Sequence, residues 1–121
     1  MSVPENADGQ ENSGPLNLEK LNATFMNNET IIKKILVSFK DSFTGFEADF
    51  REAETTGDKE VMSRLAHSLK GSAGNIRAES IAEQASALQH KIDDDEKISD
   101  EFDDLLGSLD RLNKQIDDLV G

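Results

Sequence analysis

Residues 61–77, VMSRLAHSLKGSAGNIR, decide how the chain folds. At a helical turn of about 100° per residue, Val61, Met62, Leu65, Leu69, Ala73 and Ile76 gather within an arc of roughly 120°. That spacing predicts a helix with one face in a core. His67 falls roughly 160° from the centre of the arc, on the outer side, with Ser63, Lys70 and Gly74 beside it and Gly71 and Arg64 a little further round. Each glycine costs a helix interior about 1 kcal/mol relative to alanine. Both lie on the histidine's own face, where they strip side chains from the surface and let the backbone of another macromolecule come close. Lys70, three residues after His67, is within side-chain reach of the ring. A cation there does nothing for a neutral imidazole, but it would stabilise one that acquires an anionic group.

Working outward, Asp58 is ready to cap this helix, and Thr55-Thr56-Gly57 ends the one before it. That preceding helix should start at the cap Asn28 and run unbroken to about residue 54. Ile32, Ile35, Leu36, Phe39, Phe43, Phe46, Phe50 and Ala53 recur there in steps of three and four, as a bundle seam requires. A shorter helix over residues 16–25, with Leu18, Leu21 and Phe25 on one side, reads as a lid. On the C-terminal side, residues 79–92 present Ile81, Ala85, Leu88 and Ile92, with small Ala78 and Ala82 permitting close approach. Asp93-Asp94-Asp95-Glu96 reads as a solvated connector. Ser99 can cap a last helix through residue 118 or beyond, striped by Phe102, Leu105, Leu106, Leu109, Leu112, Ile116 and Leu119. No strand-like alternation occurs. The expected fold is all-α, an antiparallel up-and-down four-helix bundle with a short N-terminal helix packed on one end.

Composition narrows the function. Residues 1–15 are too polar to offset the entropy of ordering and read as a disordered leader or linker, leaving residues 16–121 as one domain. The formal charge of −12 argues against binding nucleic-acid backbones or anionic membranes. Residues 58–77 are the exception: two acids against Lys59, Arg64, Lys70 and Arg77 give a local +2. The outward histidine thus sits in a basic patch of an acidic chain. There is no cysteine, no apolar run of the ~18 residues a membrane span needs, and no signal-peptide layout, so the cytoplasm is the expected compartment. His90 belongs to a different helix, and no His-x₃-His pair, calcium loop, GxxxxGK[ST] loop or strained nucleophile turn is present. What remains is histidine as a nucleophile that takes up a group and gives it away.

The run Ala66-His67-Ser68-Leu69-Lys70-Gly71-Ser72-Ala73-Gly74-Asn75-Ile76 resembles the signature of histidine-containing phosphotransfer domains of multistep phosphorelays. The likeness extends from about residue 16 to the C-terminus. It implies that His67 accepts a phosphoryl group from the aspartate of one receiver domain, as in a hybrid histidine kinase, and passes it to the aspartate of a response regulator. Lys70 would stabilise the phosphoryl oxygens, and Gly71 and Gly74 would clear the docking surface, with Ser63, Arg64 and Ser68 around it. Gln89 is similarly placed to the glutamine that in many relatives orients the imidazole from the next helix. Arg77 stands where many relatives have a small residue. The domain would need no cofactor of its own, because the receiver brings the Mg²⁺, and it would act as a monomer and not as an enzyme with an ATP site. Two other readings compete. The phosphoacceptor domain of a histidine kinase usually has an acid directly after its histidine and a proline a few residues on; here Ser68 follows, and no proline occurs after Pro15. A purely structural bundle would use the glycines only for a close helix contact.

Overall fold

The computed structural model describes residues 15–120, so the expected leader lies, apart from Pro15, outside the described residues. Among the described residues six helices follow one another: α1 (Leu18–Thr24), α2 (Glu29–Ser42), α3 (Phe46–Thr56), α4 (Lys59–Asn75), α5 (Glu79–Asp93) and α6 (Ser99–Val120). No strand occurs among the described residues.

Local chemistry sets most of the boundaries. Asn17, Asn28 and Asp58 are the N-caps of α1, α2 and α4, each side-chain oxygen accepting a backbone N–H, at 3.1, 3.2 and 3.1 Å. Gly57 ends α3 in the left-handed region at φ 71°, where a side chain would be strained. Ser99, expected as a cap, is itself the first residue of α6, and the Phe102 N–H donates to the Ile98 carbonyl just ahead of it.

The single helix expected over residues 28–54 is two helices. Phe43 leaves helical geometry at φ −110°, ψ 14°, and Phe46 N–H closes the turn onto the Phe43 carbonyl at 3.1 Å. Thr44 and Gly45 are weak helix formers, and the Thr44 hydroxyl donates back to the Lys40 carbonyl at 2.9 Å, which favours an end over a continuation. The seam survives the break. Phe39, Phe43, Phe46 and Phe50 touch in sequence, with ring centroids 4.9, 6.2 and 5.9 Å apart, and Phe50 stacks on Phe102 of α6.

Packing runs round the helices. α4 packs against α3 on one side and more extensively against α5 on the other, α5 against α6, and α6 against α2. Fully buried Leu36, Phe50, Leu69, Ile81, Leu88, Leu105, Leu112 and Ile116 fill the space between them. The core face of α4 lies further round than expected. Ala66 is fully buried with Leu69 and Ala73, whereas Val61, Met62 and Leu65 are half-buried. The small Ala66 and Ala73 bring α4 close to its neighbours, and that shifts the contact arc away from its bulkier residues. Leu119, expected in the α6 stripe, is 36% exposed.

The N-terminal segment closes one end. Leu16 and Leu21 are buried; Leu16 N–H donates to Gln115 Oε1 at 3.0 Å, and Gln115 Nε2 returns a bond to the Leu16 carbonyl at 3.3 Å. Lys20 pairs with Glu79 at 2.9 Å. Arg77, at φ 64° in the α4–α5 corner, donates from Nε to Thr24 Oγ1 at 3.0 Å and accepts the Asn17 N–H on its carbonyl at 3.4 Å. The lid is therefore tied to the far end of the helix that carries His67.

Candidate functional site

α4 holds His67 near its middle, with Ala66 and Leu69 buried on either side in sequence and the imidazole exposed. Among the described residues, neither His67 nor Lys70 makes a hydrogen bond or ion pair. Lys70 is exposed, so its ammonium is free for a newcomer to the face. Gly71 is exposed and Gly74 half-buried. A Cβ built on either would meet nothing within 4 Å. Close packing inside the fold therefore does not require these glycines, and a role in which they merely admit a neighbouring helix does not fit. Their effect is on the outer surface.

The other expected site residues divide. Ser68 is exposed beside His67. Arg64 is exposed and borders a shallow groove with Asp49 and Glu52 of α3. Ser63 faces the other flank, toward α5. It is half-buried, and its hydroxyl donates to Asp93 Oδ1 at 2.9 Å. Gln89, also half-buried, turns its amide to this serine, Nε2 donating to Ser63 Oγ at 3.5 Å. His90 is exposed on α5. Asp93 was expected in a solvated connector; it is the last residue of α5 and part of this network. Its spacing of four from Gln89 puts both on one side of α5, a signal the sequence did carry. Lys59 closes the same end, donating to the Asp93 carbonyl at 3.0 Å and pairing with Asp95 at 3.1 Å.

Among the described residues, no group of three or more His, Cys, Asp or Glu side chains is placed to hold a metal. No helix among the described residues is long and apolar enough to cross a membrane. Among the described residues, the face offers the exposed imidazole of His67, the unpaired ammonium of Lys70 and a bare helical surface.

Compared with models of known protein families, the chain matches the Hpt domain over residues 34–119. The chain belongs to the Hpt domain family. Hpt domains are helical bundles that carry out histidine-containing phosphotransfer in two-component signalling. The match takes in most of α2 and all of α3, α4 and α5, and reaches the last turn of α6, leaving α1 outside it. Neither the curated proteins nor the solved structures compared with the chain gave a match. An Hpt domain works with receiver domains, and the exposed face of α4 is where the chemistry just described collects.

Proposed function

We propose that His67 is the phosphoacceptor of this Hpt domain, taking a phosphoryl group from the aspartate of a hybrid-kinase receiver and passing it to that of a response regulator. The observation that carries the reading is the conjunction on α4 of an exposed, unpartnered imidazole with the open Cβ directions of Gly71 and Gly74. A ring nitrogen lone pair forms the N–P bond while the acyl-phosphate O–P bond breaks, and the electron pair leaves with the receiver's carboxylate. The reverse sequence delivers the group onward. Phosphoryl transfer asks mainly for in-line placement and neutralisation of spreading negative charge. Lys70 supplies charge on this side, and the Mg²⁺ comes with the receiver. The local +2 around α4 draws an acidic receiver pocket to the right face of an otherwise acidic chain. Gly71, Gly74, Ser68 and Arg64 form the docking surface.

The scaffold for this is an antiparallel up-and-down four-helix bundle in which α2 and α3 together make one long strut and α1 packs on one end. Contacts from Ser63 near the start of α4 to Asp93 at the end of α5, and from Lys91 late in α5 to Glu101 early in α6, support that order. The domain acts as a cytoplasmic monomer. Incubating the chain with phosphorylated receiver domains and Mg²⁺ tests the proposal: acid-labile phosphate should appear on the wild type and not on His67→Gln. Phosphate on that variant would move the site elsewhere, and gel filtration reads the oligomeric state.

A further inference from the structure

The network beside His67 has a direction. An ionised carboxylate only accepts hydrogen bonds, so the 2.9 Å contact between Ser63 Oγ and Asp93 Oδ1 uses the serine's single proton. Ser63 Oγ can then meet Gln89 only as an acceptor. This selects the amide –NH₂, which lies 3.5 Å away. Were the amide turned round, its carbonyl oxygen would face a hydroxyl with no proton left to give. Gln89 Oε1 is consequently the atom left over, with no hydrogen-bond partner among the described residues.

We infer that Ser63 and Asp93 are positioning residues that hold the Gln89 amide with its oxygen toward His67, and so select the reactive tautomer of the imidazole. The inference rests on the reading of His67 as phosphoacceptor. His67 follows Ser63 by four residues, one turn along α4, so an amide held at the serine is one helical turn from the ring, with its oxygen uncommitted. An oxygen turned to the ring would accept its N–H on the α5 side, and the outward nitrogen would keep its lone pair for phosphorus. A flipped amide would present –NH₂ instead, and would favour the tautomer whose outward nitrogen is protonated and not nucleophilic. Lys59 steadies the arrangement at its origin, holding the Asp93 carbonyl and Asp95 together where α5 ends.

The test is imidazole ¹⁵N NMR of the full chain with the ring neutral, alongside phosphotransfer from a phosphorylated receiver domain. Wild type should show one predominant His67 tautomer. Ser63→Ala should move the ring toward a mixture and slow transfer about five- to tenfold, the size expected for one lost hydrogen bond. Ser63→Thr, which keeps the hydroxyl, should restore both. Asp93→Asn leaves the serine's proton uncommitted and should shift the tautomer the same way with Ser63 in place. A wild-type tautomer ratio and rate in both Ser63→Ala and Asp93→Asn would overturn the inference, and Asp93→Asn decides alone if Ser63→Ala fails to fold. If the ratio responds as expected while no variant, wild type included, accepts phosphate, the hydrogen-bond chain stands and the phosphoacceptor reading falls.

Discussion

The rings of Phe50 in α3 and Phe102 in α6 lie 4.3 Å apart between centroids and within 18° of parallel, with the Arg51 guanidinium 5.1 Å from the centre of the Phe102 ring. Phe50 is wholly buried and Phe102 nearly so, and together they join α3 to the last helix. Truncating a buried phenylalanine removes its transfer free energy and leaves a cavity the neighbours only partly fill. Phe50→Ala should therefore cost about 3–5 kcal/mol. Urea denaturation measures this, and the Phe50→Ala, Phe102→Ala double variant should lose less than the sum of the two because the rings share one contact.

His67→Gln should have the opposite profile. The imidazole is exposed and without a partner among the described residues, so its replacement should alter stability by less than about 0.5 kcal/mol while abolishing phosphate uptake. Thermal unfolding by circular dichroism and the transfer assay read the two effects separately. Unfolding of the variant would mean that the ring bears on the core after all.

At Gly71, stability and function should part company. A Cβ there meets nothing within 4 Å, and the backbone is ordinary helix, so Gly71→Ala should stabilise the domain by roughly 0.5–1 kcal/mol. Gly71→Gln should leave the fold intact and slow transfer from a receiver, since its side chain stands on the surface the receiver must cover. Stopped-flow or quench kinetics across receiver concentrations should place the defect in the concentration-dependent step. Unchanged kinetics in Gly71→Gln would remove the glycines from the docking surface.

Much of this was legible in residues 61–77 alone, because an exposed histidine followed on its own face by two open glycines departs from helix propensity where packing offers no reason for it. The cap Asn28, the cap Asp58 and the stop at Gly57 were also readable, since each is a local hydrogen-bond or backbone requirement. The break after Ser42 was hidden for a physical reason: Phe39, Phe43, Phe46 and Phe50 keep seam spacing through it, so periodicity sees one helix where the backbone makes two. The burial of Ala66 depends on how closely α5 approaches α4, which no single-helix pattern contains. The direction of the Gln89 amide comes from Ser63 and Asp93 on two different helices, and only the fold brings that pair together.

Acid should loosen the domain first where charged pairs tie helices across their ends. Lys91 lies between Glu96, at 3.9 Å, and Glu101, at 3.0 Å, linking the end of α5 to the start of α6. The hydrogen bond from Lys91, and after it a backbone hydrogen bond, hold the Glu101 carboxyl below its usual 4.5 against the opposing effect of burial, with the ammonium's charge adding least. At the other end, Lys20 does the same to Glu79, chiefly through its hydrogen bond. A carboxyl lowered on folding contributes stability that is fully present above its unfolded value and is lost as pH falls through the folded one. The loss should therefore set in below about pH 4.5 and be weakened by salt, since these groups are at least partly open to solvent. Lys91 is raised above 10.5 by the same Glu101 bond, so its share persists below that value and disappears as alkali takes the pH through the raised one. Urea midpoints followed from neutral pH to pH 3 should fall less steeply for Glu101→Gln than for wild type, because the neutral amide has no proton to gain. Parallel acid profiles for the two proteins would show that this tie contributes nothing to the joint between α5 and α6.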